Sequence, residues 1–334
     1  MIEIEPQTSD SRRLSNFISC NQLQPPVRLI GRSGLLEFYI NASQSAATRK
    51  AYASDIREYQ AFGGKLPAST NDIALYLASS TYLAASTLKR RLAALADVHV
   101  SAGLADPTKS QIIRKLLRGI ARVHGAASVS ATPLRADALS SMAGLIPSDL
   151  AGLRDKALLL VGFSCALRRS ELVALQVDDL SLVGGRSTLL IRRSKTDQFG
   201  QGRHLALPRL DGPLCPVAAL NGWLAAAGIE SGPMFRAISR WHQVGAAALS
   251  SATIGAVVRQ RAKQAGITID GLSAHSLRSG FAVSALDAGL SLPAVQAVTR
   301  HETLGGVAAY VRSVAAASIT KMPALAVTGE PGPR

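Results

Sequence analysis

Four stripes of apolar residues at helical spacing occupy the first third of the chain. Thr48 heads the first, with Tyr52, Ile56 and Tyr59 on one side. Thr70 heads the second, through Ile73, Leu75 and Leu77, and Ser86 heads the third, with Leu88, Leu92 and Leu95 aligned. Asp106-Pro107 opens the fourth, because proline suits a first helical turn, and that segment offers Ile113, Leu116, Leu117 and Ile120 for burial. Residues 1–33 lack periodicity and carry Pro25-Pro26, so they read as a loose arm before a helical domain over 34–124. The small, uncharged run between His124 and Pro133 reads as a linker, 125–133.

The second half, 134–322, has a different pattern. Helices are predicted over 148–165, from Ser170 to Leu175, and over 214–227, 250–265, 275–288 and 292–300, with a last one around Tyr310. Thr188–Arg193 and Arg203–Leu207 read as strands joined by a hairpin-like connection containing Gly200 and Gly202. The fold class is therefore mainly α with a small antiparallel β-sheet in the C-terminal domain. The apolar run near Ala157–Leu167 is too short to span a bilayer and reads as a buried helix. Residues 323–334, with Gly329, Pro331 and Gly332, read as a disordered tail.

Charge narrows the function. Lys and Arg number 37 against 22 Asp and Glu, a formal net charge of +15, which favours a polyanionic partner, nucleic acid first. Lys89, Arg90 and Arg91 begin the third helix, and Arg114, Lys115, Arg118 and Arg122 lie on the fourth, three of them in one stripe. Two such basic edges can grip phosphates in a groove; the competing reading is a solvated helix face. Cys20, Cys165 and Cys215 form no CxxC pair, which argues against a zinc site or disulfide framework and fits a reducing cytoplasm. No signal peptide, P-loop motif or two-metal carboxylate cluster is visible, so no cofactor, metal or membrane partner is expected.

Six tyrosines occur, and Tyr310 alone falls in the second half. A phenol titrating near pH 10 is a weak nucleophile without help. Taken alone, a tyrosine on an apolar helix is more often a packing residue. His301 stands nine residues before Tyr310, with Gly305-Gly306 between them to break a helix and let the side chains converge. His275 and Arg278 share a helix face at i, i+3, Arg168 and Arg169 precede a helix start at Ser170-Glu171-Leu172, and Lys195 sits at the mouth of the hairpin.

In order and spacing this set resembles the tyrosine recombinases, the phage integrase family, over about residues 45–320. Ala166-Leu-Arg-Arg-Ser-Glu-Leu172 is similar to the first arginine motif, with Arg168 as its arginine. Arg193-Ser-Lys195-Thr196 is similar to the β-hairpin lysine motif, His275-Ser-Leu-Arg278 to the His-x-x-Arg box, and His301 with Tyr310 to the second histidine and the nucleophile. Two positions depart from the pattern: Ala166 and Arg300 stand where the family often has glycine.

The resemblance implies a two-domain DNA clamp, with a helical core-binding domain and a catalytic domain. It implies site-specific cleavage and rejoining of DNA through a 3′-phosphotyrosine. Arg168, Arg278 and His301 would meet the phosphate, Lys195 would protonate the leaving oxygen, and His275, supported by Glu171, would handle the tyrosine proton. The implied partners are double-stranded DNA with an inverted-repeat site and further copies of the chain, as dimer and tetramer; the apolar segment with Val314, Ile319 and Met322 would pack on a neighbouring copy. The implied setting is cytoplasmic, at a bacterial or phage nucleoid. The rival readings are a type IB topoisomerase-like enzyme and a non-catalytic DNA-binding protein.

Overall fold

The computed structural model describes residues 38–40, 42–125, 131–195, 197 and 199–319, with side chains through Val311. The expected arm, the middle of the expected linker, Thr196, Met322 and the expected tail lie outside the described residues. The chain divides into two compact units between residues 128 and 129.

Among its described residues the first unit includes the helices α1 (Ala46–Ala61), α2 (Thr70–Ser79), α3 (Ala85–Ser101) and α4 (Gln111–His124), with a 3₁₀ turn at Pro107–Lys109 before α4. Its core gathers Tyr59, Ile73, Tyr76, Leu77, Leu88, Leu92, Leu95, Ile113 and Ile120, largely the periodic positions of the sequence. All four of these helices start slightly away from the expected caps. Ser45 rather than Thr48 caps α1, accepting from the Thr48 N–H at 3.1 Å. Ser69 rather than Thr70 caps α2, because Asp72 three residues on returns the bond and completes a capping box. Asp106 caps the 3₁₀ turn, and Ser110 caps α4 itself. The third helix begins after Ala84 with no side-chain cap, so the expected Ser86 cap is not used.

The second unit contains α5 (Ala136–Leu145), α6 (Leu150–Ser164), α7 (Arg169–Ala174), β1 (Leu180–Val183), β2 (Arg186–Ile191), β3 (Arg203–Ala206), α8 (Pro216–Ala226), β4 (Arg236–Ile238), β5 (Val244–Ala248), α9 (Ser251–Gln264), α10 (His275–Asp287), α11 (Leu292–Thr299) and α12 (Leu304–Ile319). Helix α6 runs through the core: Ala157, Leu158, Leu159, Leu160 and Val161 are consecutive and all buried, so its C-terminal half is apolar all round, as a central helix must be. Strands β1, β2 and β3 pair antiparallel in that order, with Leu189 opposite Leu180 on one side and Leu205 on the other. A second ribbon pairs β4 with β5.

Helix α5, strand β1 and the β4–β5 ribbon are additions to the predicted elements. Their sequences explain the omission. Helix α5 has no side-chain cap, and β5 is Val-Gly-Ala-Ala-Ala, which carries little strand preference.

Helix α10 is locked against the start of the unit. The Leu134 N–H donates to Ser276 O at 3.0 Å, and a Cβ on Gly280 would lie 1.8 Å from Leu134 O. Only glycine admits that approach. Gly280→Ala is therefore expected to cost about 1–3 kcal/mol of stability through forced overpacking. A lower urea midpoint checks this; an unchanged midpoint contradicts it.

Candidate active site

The turn from α6 to α7 sets the first arginine. Ala166 ends α6 in the left-handed region, φ 46°, and the Leu167 N–H donates back to Gly162 O at 2.9 Å. The position where the family often has glycine is thus one where glycine is the easy residue. The turn delivers Arg168 to the head of α7 and leaves the Ala166 carbonyl facing Arg278, whose Nη1 donates to it at 2.8 Å.

Glu171 organises the arginines. Its side chain is 1% exposed. Oε1 accepts from Arg168 Nη1 at 2.6 Å, and Oε2 accepts from the Arg168 N–H at 2.9 Å and from Arg300 Nη2 at 2.6 Å. Glu171 thus holds Arg168 and Arg300, not His275 as expected, because both its oxygens are taken by guanidinium and amide donors.

Arg278, 1% exposed, leaves Nη2 buried without a partner. Burial, then the neighbouring Arg168 and Arg300, bring its pKa down to about 10, so it stays charged at neutral pH. Three guanidiniums face one carboxylate here, which leaves an excess of positive charge for an anion to meet.

Tyr310 stands over this cluster. Its Oη lies 3.4 Å from His275 Nε2, and its ring centroid lies 5.8 Å from that of His301. A satellite core of Ala282, Ala285, Val295 and Val307, with Phe281 and Leu292 against it, seats the ring where α10, α11 and α12 meet. Gly305 and Gly306 do not break a helix between His301 and Tyr310; they open α12. A Cβ on Gly306 would lie 2.9 Å from the His301 ring, so glycine there makes room for the histidine.

The Thr299 hydroxyl donates to Val295 O at 2.7 Å and lies 2.7 Å from His301 Nδ1. A carbonyl can only accept and the hydroxyl has one proton, so His301 Nδ1 donates to Thr299 and Nε2 is left for a ligand.

Burial raises the pKa of Tyr310, against the partial pull of Arg278 and Arg168. Burial and then the same two arginines lower His275 and bring His301 down to about 4. Both histidines are therefore neutral at pH 7 and take up protons only as pH falls below the ordinary value of about 6.5. The unfolded chain binds those protons first, so stability falls as pH drops from about 6.5 toward about 4. In a proton NMR titration of the DNA-free protein, the His301 ring signal is expected to move only near pH 4. A midpoint near 6.5 contradicts this environment.

Lys195 is exposed on the β2–β3 connection, and it makes no hydrogen bond to the cluster among the described residues. The connection around it is shaped by Asp197, which accepts from the Gly202 and Gln201 amides at 2.8 and 3.0 Å; these bonds hold its carboxyl below the usual range. Among the described residues, no group of three or more His, Cys, Asp or Glu is arranged to hold a metal ion, and no helix is long and apolar enough to cross a membrane. Cys165 and Cys215 are buried free thiols; Cys20 lies outside the described residues.

The expected basic surface of the first unit divides in two. Lys89, Arg114 and Arg118 line one cleft with Gln111, Leu117 and Ala121, and Lys115 and Arg122 are exposed on α4. Arg90 and Arg91 turn elsewhere. Arg90 makes a two-pronged pair with buried Asp55, at 2.8 Å for each bond. Arg91 packs over the Tyr76 ring near Asp55 and Glu58, with its side chain 11% exposed. Asp55, buried on α1, needs counter-charge, and these two arginines supply it.

Comparison with known proteins gives the family and the fold. Residues 133–316 match the phage integrase family, and residues 34–103 match the phage integrase N-terminal SAM-like domain. The chain is 34% identical over 283 residues to an integrase/recombinase XerD homolog of Selenomonas ruminantium, covering 81% of this chain and 83% of that protein. It is 32% identical over 162 residues to the tyrosine recombinase XerD of Xanthomonas axonopodis pv. citri, covering 48% of this chain and 51% of that one. The fold resembles a lambda integrase(75-356) dimer bound to a COC' core site, with TM-score 0.55 and 21% identity over 82% of this chain and 93% of that one. It also resembles XerH bound to a palindromic difH substrate in a post-cleavage complex, with TM-score 0.55 and 22% identity over 76% of this chain and 73% of that one.

Fold and sequence together define a tyrosine-type DNA strand transferase. The chain belongs to the phage integrase family, the tyrosine recombinases, and is a site-specific recombinase.

Proposed function

We propose that this chain cuts each DNA strand with Tyr310 and rejoins it to a second duplex, with Arg168, Arg278 and His301 around the scissile phosphate. The Tyr310 oxygen attacks phosphorus, its proton passes to His275, and the bond from phosphorus to the 5′ oxygen breaks. Lys195 gives a proton to that leaving oxygen. The product is a 3′-phosphotyrosine and a free 5′ hydroxyl; a 5′ hydroxyl from the partner duplex reverses the step.

The two arginines suit the phosphate because guanidinium stays charged and offers forked donors. Neutral His275 is fit to accept. The gap of 3.4 Å is long for a hydrogen bond and within what catalytic pairs show before substrate tightens them. His301 Nε2 donates once it is protonated, and the phosphate's negative charge favours that proton. Lys195 reaches the site by movement of its exposed connection when DNA binds. The cleft of Lys89, Arg114 and Arg118 grips backbone phosphates, with Lys115 and Arg122 beside it.

The observation that carries this reading is the Tyr310 hydroxyl set against His275 above an arginine cluster whose charge the one carboxylate of Glu171 balances only in part. The DNA site is an inverted repeat around a short spacer, bound by dimers that pair into a tetramer in the cytoplasm. A lambda integrase tetramer bound to a Holliday junction has the same fold, with TM-score 0.55.

A nicked suicide duplex carrying the repeats that flank the coding region tests the reading. A covalent protein–DNA band on a denaturing gel, with recombinant products from two intact sites, is expected. Binding with no covalent band favours a regulator, and plasmid relaxation with no recombinants favours a topoisomerase-like enzyme.

A further inference from the structure

The third guanidinium of the cluster, buried Arg300, has no part in the chemistry above. Arg300 stands where the family often has glycine, and its backbone is in the left-handed region, φ 57° and ψ 46°, which strains a side-chain-bearing residue. Its side chain is 5% exposed and spans the cluster. Nη1 donates to Cys165 O at 3.1 Å and Val298 O at 2.8 Å; Nη2 donates to Glu171 Oε2 at 2.6 Å and Ala166 O at 3.4 Å. Its own carbonyl accepts from Arg168 Nη2 at 3.3 Å.

Both Nη2 bonds meet a group that also holds a proposed phosphate-binding arginine, while the Nη1 bonds tie the side chain to the Cys165 and Val298 carbonyls. Glu171 holds Arg168 by two bonds, and the Ala166 carbonyl holds Arg278 Nη1. Fixing Glu171 Oε2 from the far side leaves the carboxylate one orientation, and Oε1 then fixes Arg168. Lysine cannot reproduce this, because an ammonium lacks the planar fork.

We propose that Arg300 is a positioning residue: its guanidinium, acting through Glu171 and the Ala166 carbonyl, holds Arg168 and Arg278 in register for one phosphate. The inference rests on the recombinase reading of the site. It also accounts for an arginine at a backbone position that favours glycine: the side chain's bonds offset the strain.

Arg300→Gly suits the test because glycine relaxes the left-handed backbone while the side chain and its guanidinium are removed, leaving a space that free guanidinium can enter. The variant should bind its DNA site as the parent does and should form the covalent adduct about 10–100-fold more slowly on the nicked substrate. Guanidinium chloride at non-denaturing concentration should restore part of the rate, while sodium chloride at equal ionic strength should not. Arg300→Lys should stay slow. A lost side chain that mattered only for folding would lower the melting temperature and would show no such selective rescue. Adduct formation by Arg300→Gly at the parental rate, or a loss that guanidinium does not relieve, overturns the proposal. A parent protein that forms no adduct would instead remove the recombinase reading beneath it.

Discussion

Tyr310→Phe should abolish the covalent protein–DNA adduct, a loss of at least about 10⁴-fold, while leaving DNA binding and stability close to the parent's. The ring packs on the satellite core below α10 and α12, and phenylalanine keeps that packing. Only the hydroxyl facing His275 is removed, and its contact is polar and 3.4 Å long. The remaining five tyrosines lie at or before residue 82, in the first unit, and none is part of the cluster described above. Residual adduct on a denaturing gel would mean that another side chain attacks.

Arg278→Lys should slow adduct formation by about 10²–10³-fold although it keeps the positive charge. Arg278 splits its fork between two tasks. Nη1 is anchored on the Ala166 carbonyl at 2.8 Å, and Nη2 is buried and unpartnered beside Tyr310 and Arg168. A lysine ammonium can serve the anchor or the phosphate but cannot span both. Burst kinetics on the nicked substrate, with DNA affinity measured in parallel, read this directly. A rate within a few-fold of the parent's would show that charge alone is required and that the fork is not used.

The sequence made these residues readable for a local reason. His275 and Arg278 lie three apart on one helix, and Arg168 and Glu171 lie three apart at the head of another, so helical periodicity placed each pair on a common face. What stayed hidden depends on contacts between distant segments. Glu171 and Arg300 are 129 residues apart, and nothing in the local pattern reveals that they share a bond. In the sequence Arg300 stands out only as a departure from glycine; its left-handed backbone and its buried guanidinium emerge together once α11 is packed against the α6–α7 turn.

Basic residues behaved similarly. Lys89, Arg90 and Arg91 are consecutive, yet helical geometry points them in different directions: Lys89 lines the cleft and the two arginines turn toward Asp55. A run of charge gives net attraction to DNA, while the allotment of each side chain depends on the buried acid nearby. Lys195 shows the opposite limit. The hairpin is legible from its glycines and strand pattern, but the lysine is exposed and makes no bond to the cluster among the described residues, so the role proposed for it requires DNA to draw the connection in.

The central claim concerns one oxygen atom, and peptide mapping addresses it directly. After trapping on the nicked duplex, nuclease trimming and tryptic digestion, mass spectrometry should find the nucleotide on the peptide from His301 to Arg312, attached at Tyr310 through a 3′ phosphate. Nucleotide mass on any other peptide, or attachment through a 5′ phosphate, would contradict the account.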